Sequence, residues 1–148
     1  MNTQSAIVMA VEIEVPAADM VEVRFVCPDG SVHHAPAYVL YQEYSDMFKD
    51  IHGVRPRWMH FTPETIGRAM ENLCYEYEQH VKAEKAREQQ AIAEMEAAIQ
   101  KAISLGAGSR RNALRWLMDA EGTTDWEYFE YCNRVPYGYF KEYYKKVA

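Results

Sequence analysis

Apolar and polar residues alternate near the start of the chain, then change to a helical rhythm that runs to its end. Residues 6–15 (AIVMAVEIEV) open apolar and then set Val11, Ile13 and Val15 against Glu12 and Glu14. That is the pattern of a half-buried strand, and Pro16 ends it. Residues 21–27 (VEVRFVC) alternate again, with Val21, Val23, Phe25 and Cys27 inward. Pro28-Asp29-Gly30 predicts a turn, and Ser31 to His34 a short returning strand. A sheet of two or three strands is unstable alone, so something must cover its apolar face. Residues 37–52 supply the cover: Ala37, Leu40, Tyr44, Met47 and Ile51 recur at helical spacing, between Pro36 and Gly53.

The longest helical signal runs from Thr62 to Leu105. Thr62 is expected to cap it through its hydroxyl, Pro63 suits the first helical position, and Glu64 favours the positive end. Gly106 is expected to stop it. Its apolar stripe falls at Ile66, Met70, Leu73, Tyr77 and Val81, and again at Ile92, Met95, Ile99 and Ala102. Between them, Lys82 to Gln90 (KAEKAREQQ) holds strong helix formers and no bulky apolar residue, so the helix should continue with every face wet. Such a helix spans roughly 60 Å, against a diameter of roughly 40 Å for a compact domain of this size. It must protrude, break or pack against a second copy. A homodimer through Ile92, Met95 and Ile99 is the expectation.

Residues 110–121 (RRNALRWLMDAE) predict a short helix capped by Ser109 and ended by Gly122. Thr124 is expected to cap another over Asp125 to Tyr131, and Pro136-Tyr137-Gly138 to turn the chain into a last helix through Tyr144. The fold class is therefore α+β: a small N-terminal antiparallel sheet covered by helices, one very long central helix, and short C-terminal helices. A single domain in three parts is expected: 1–60, 62–105 and an aromatic-rich 109–148.

Net charge is −6, which disfavours general nucleic-acid binding and suits docking on basic surfaces. No stretch approaches the length of a membrane span, and the first residues do not read as a signal peptide, so a cytoplasmic protein is expected. Cys27, Cys74 and Cys132 are far apart in sequence and odd in number; they read as free thiols, with neither a disulfide framework nor a zinc site. Glu76 and His80 form a carboxylate–histidine pair at i, i+4, and an ordinary solvated helix face explains them better than a metal or an acid–base pair. No phosphate loop or nucleophile elbow is present, so no enzyme activity and no cofactor is expected. The Gly106-Ala107-Gly108-Ser109 stretch before Arg110 and Arg111 reads as a hinge with an N-cap serine, ahead of an anion site.

Two groups of residues stand out for partner binding. Arg55-Pro56-Arg57-Trp58 sets two arginines around a rigid proline beside a tryptophan, a composition common in binding hot spots. The alternative is that the arginines pair with Glu43, Asp46 or Asp50 on the preceding helix. Trp126, Tyr128, Tyr137 and Tyr139 belong to an aromatic tail that could stack bases, but Asp125, Glu127 and Glu130 interleave with it and would repel phosphates. Core filling combined with a protein-binding patch suits this mixture better.

YQEYSDMFKDIHGVRPRW (41–58), together with ALRWLMDAEG (113–122) and VPYGY (135–139), resembles stretches in small accessory proteins encoded by tailed bacteriophages. The resemblance implies a phage protein at work in the bacterial cytoplasm, of the anti-defence, anti-CRISPR-like kind that binds and inhibits a host protein. The alternative is a nucleic-acid-binding accessory protein using Arg55, Arg57, Arg110, Arg111 and the C-terminal aromatics.

Overall fold

The computed structural model describes residues 14–144. The expected strand over 6–15 lies almost wholly outside them, and Glu14 and Val15 are in no strand. The protein is α+β. Its described elements are strands β1 (Glu22–Val26) and β2 (Val32–Pro36), then helices α1 (Ala37–His52), α2 (Pro63–Ala102), α3 (Arg110–Glu121), α4 (Trp126–Asn133) and α5 (Lys141–Tyr144). The chain divides into two compact units, one ending at His80 and one beginning at Val81. A single domain was the expectation; the boundary instead falls inside α2, beside the stretch Lys82 to Gln90. Those nine residues are all exposed, and no apolar side chain there can carry one core into the next.

In the first unit, β1 and β2 pair antiparallel with Val23 opposite Ala35 and Phe25 opposite His33. Asp29 shapes the turn between them by accepting from the Ser31 amide at 2.8 Å. Val23 and Phe25 are buried, whereas Val21, placed inward by its alternation, is exposed because it precedes the strand. Covering the inner face are Ala37, Leu40 and Tyr44 of α1 and Ile66, Met70 and Leu73 of α2. Gly67 allows the closest approach: a Cβ there would lie 3.0 Å from Val23 Cγ1 and 3.2 Å from the Arg24 carbonyl oxygen. Pro36 and Gly53 bracket α1, with Gly53 left-handed at φ 77°.

The start of α2 differs in detail from expectation. It is the Thr65 hydroxyl that accepts from the Thr62 amide, at 2.9 Å, while the Thr62 carbonyl accepts from the amides of Thr65 and Ile66. The helix is unbroken to Ala102 and closes through a wide turn, Ile103–Ala107, in which Gly106 takes φ 112°. Tyr77 is exposed and Val81 half-buried, so the first apolar stripe ends at Leu73.

In the second unit, Met95, Ile99 and Ala102 pack with Leu114 of α3, Phe129 of α4 and Phe140 before α5. Met95 and Ile99 are buried by the chain itself, and Ile92 is half-buried against the same core. The expected self-association seam is therefore an intrachain core, because α3 to α5 supply its apolar partners. Ser109 caps α3, accepting from the Asn112 amide at 3.2 Å. The α4 cap is Asp125 and not Thr124: one Asp125 carboxylate oxygen accepts from the Glu127 and Tyr128 amides at 2.9 and 3.1 Å. Among the described residues, no helix is long and apolar enough to cross a membrane.

Candidate functional site

The seven side chains expected to meet a partner separate into packed and exposed groups. Arg55 lies 2.5 Å from Asp46 Oδ1, and its guanidinium also donates to Ser45 Oγ at 3.1 Å. This is the pairing with α1 that the sequence offered as its alternative. Pro56 is buried, which holds the loop down and leaves Arg57 exposed. Trp58 is 62 % exposed and meets Phe48 in a T-shaped arrangement at a centroid distance of 6.1 Å.

Trp126 and Tyr139 are structural. Trp126 is half-buried, stacks on Tyr143 at 5.6 Å and packs against Phe140 and Tyr144. Tyr139 is half-buried and donates to Glu96 Oε1 at 2.7 Å. Both face inward because α4 turns Trp126, Phe129 and Glu130 toward the core, and the chain after Pro136 folds back over them.

The opposite face of α4 carries Glu127, Tyr128 and Tyr131. Tyr128 is 57 % exposed and Tyr131 79 %. Tyr137, also 79 % exposed, joins them by donating to Glu127 Oε1 at 3.2 Å. The Glu127 carboxylate raises the Tyr137 hydroxyl above the ordinary tyrosine value, and a bond to Cys132 does the same for Tyr128. Tyr128 and Tyr137 are thus held as neutral donors on an acidic helix face. Tyr131 was not among the expected residues; counting helical positions from Trp126 and Phe129 would have placed it outward with Glu127 and Tyr128.

Holding this face is Glu130, which the sequence groups with the phosphate-repelling carboxylates but which the fold buries. Glu130 is 1 % exposed and accepts from the Gly138 amide at 2.8 Å, the Phe140 amide at 2.7 Å and the Tyr144 hydroxyl. It ties α4 to the segment bearing Tyr137, whose hydroxyl reaches Glu127 on the same helix. Burial and the Glu130 bond push the Tyr144 hydroxyl upward.

Two of the four arginines expected to meet phosphate are already paired with carboxylates, Arg55 with Asp46 and Arg110 with Glu96. Arg110 is bound to Glu96, so Ser109 and Arg110 form a cap and an ion pair. Arg111 lines a cleft of about 420 Å³ with Arg115, Thr124, Trp126, Tyr143 and Tyr144. Glu76 meets His52 of α1 at 3.0 Å, not His80, so the carboxylate–histidine pair read from spacing is replaced by a bond across two helices. No family model, no curated protein and no solved structure matches the chain.

Proposed function

We propose that this α+β protein is a non-enzymatic interaction protein of bacteriophage type, which binds and inhibits a bacterial host protein in the host cytoplasm. The observation that carries this reading is the exposed face of α4. Tyr128, Tyr131 and Tyr137 present three large rings to solvent with Glu127 among them. A partner gains contact area at low entropy cost, since tyrosine has two side-chain torsions to fix. The interleaved carboxylate and the net charge of −6 suit a partner with a basic face, such as a defence or nucleic-acid-handling factor. Arg57 and Trp58 offer a second exposed anchor in the first unit.

The test is affinity capture from bacterial lysate, with nuclease-treated and untreated samples in parallel. The wild type is expected to retain a bacterial protein in both, and Tyr128→Ala/Tyr131→Ala/Tyr137→Ala to lose it while keeping its melting temperature. Equal retention by the variant would overturn the assignment of this face.

The second reading, a nucleic-acid-binding accessory protein using Arg55, Arg57, Arg110, Arg111 and the C-terminal aromatics, is favoured by one feature: Arg111 shares a cleft with Trp126 and two tyrosines, beside Arg115 and the Asp119 carboxylate. That reading requires retention of DNA or RNA that falls steeply with salt. Capture abolished by nuclease would select it.

A further inference from the structure

We propose that Cys27 and Cys74 form a dithiol that closes reversibly into a disulfide, pinning the end of β1 to α2. The two sulfurs lie 3.2 Å apart although 47 positions separate them in the chain. Both residues are held by their surroundings. Cys27 sits at the mouth of the hairpin turn, where its amide donates to the Ser31 carbonyl and its carbonyl accepts from the Gly30 amide, each at 2.9 Å. Cys74 follows the buried Leu73 in the middle of a helical run. One residue before Cys27, the Val26 amide donates to Glu71 Oε1 at 3.1 Å, so strand and helix are already tied at the adjacent position. Elements fixed on both sides hold the sulfurs close without a search, and closure needs only their final approach. Each side chain is half-buried, shielded from bulk solvent yet open to a small thiol reagent.

The chemistry has an order. Burial, the Cys27 sulfur and the nearby Asp29 and Glu43 carboxylates push the Cys74 thiol up to about 12. Cys74 therefore keeps its proton in the resting protein, and Cys27, at the mouth of the hairpin turn, is the thiol that meets the oxidant. With glutathione disulfide as oxidant, the Cys27 thiolate forms a bond to one glutathione sulfur and breaks the glutathione S–S bond, releasing one glutathione thiolate. Cys74 then gives up its proton and attacks Cys27 Sγ, expelling the second. Two protein thiols are oxidised by two electrons, one glutathione disulfide is reduced to two glutathiones, and the two protein protons pass to them. Cys132, exposed on α4 in the other unit, takes no part.

The full chain carrying Cys132→Ser is incubated with glutathione disulfide, and its intact mass, peptide map and melting temperature are recorded before and after dithiothreitol. The expected product has lost two hydrogens, yields a Cys27–Cys74 linked peptide, and melts roughly 5–10 °C higher, because the cross-link closes a long loop in the unfolded chain. Dithiothreitol should reverse all three changes. Cys74→Ala should instead accumulate a glutathione adduct at Cys27 with no rise in melting temperature. Stable glutathione adducts on either cysteine of the intact pair would overturn the proposal. So would thiols left unmodified under conditions that modify Cys132 in the wild type, or a linked product that melts no higher.

Discussion

Arg110 and Glu96 form a two-point ion pair, with both guanidinium Nη atoms 2.6 Å from the two carboxylate oxygens. The pair fastens the first residue of α3 to α2, and the Tyr139 hydroxyl donates to the same carboxylate at 2.7 Å. Paired hydrogen bonds of this geometry are stronger than neutral ones, but about a third of each side chain remains in water, which reduces their value.

The hydrogen bonds from Arg110 hold the Glu96 carboxyl below the usual glutamate range. Its contribution to stability is therefore full above the unfolded value of about 4.3 and disappears as pH falls through the lower folded value. Glu96→Gln should lower stability at neutral pH by about 1 kcal/mol and flatten the loss that sets in below the unfolded value of about 4.3. Urea unfolding from neutral pH down through that value measures both. An acid dependence identical to the wild type would show that the pair contributes nothing.

Glu130 should matter more than any surface charge. Glu130→Ala removes the acceptor for the Gly138 and Phe140 amides in a site that water does not reach, and should cost about 2–4 kcal/mol in urea unfolding. Tyr144→Phe deletes one donor to the same carboxylate and should cost about 1 kcal/mol. A larger loss from Tyr144→Phe would contradict this ranking.

Gly67→Ala sets two effects against each other. Alanine improves helix propensity by about 1 kcal/mol, yet its Cβ would press on Val23 and on the Arg24 carbonyl oxygen, which is backbone in the sheet. Overpacking of this kind typically costs about 1–3 kcal/mol, so net destabilisation of the first unit is expected. A higher melting temperature would mean that hairpin and helix have room to part.

The aromatics should divide by what they touch. Trp126→Ala opens a hole beside Tyr143 and Phe140 and should cost about 2–3 kcal/mol. Tyr131→Ala and Trp58→Ala, at exposed sites, should stay within about 0.5 kcal/mol of the wild type. Denaturant titration of the three variants separates anchor from core.

Local features were legible in the sequence. Pro36 and Gly53 mark α1, Ser109 and Gly122 mark α3, and Pro63 opens α2, because backbone constraints at helix ends belong to single residues. The exposure of Lys82 to Gln90 was equally plain from composition. Contacts between distant segments were not. Arg110 reads as a cation beside a glycine-rich hinge until α3 folds against Glu96, fourteen positions earlier. Tyr139 looks the same in sequence as Tyr137; only the fold of this segment over α4 decides which of the two rings is spent on the core. Glu130 shows the limit most sharply, since a glutamate in a short amphipathic helix is ordinarily solvated, and its burial depends on amides ten residues away.

Amide hydrogen exchange along the chain, with and without the captured bacterial protein, tests the partner-binding account most directly. Binding is expected to slow exchange across α4 and the segment bearing Tyr137, while Lys82 to Gln90 exchanges as before. Unchanged exchange across residues 126–139 in the complex, with protection appearing elsewhere, would contradict it.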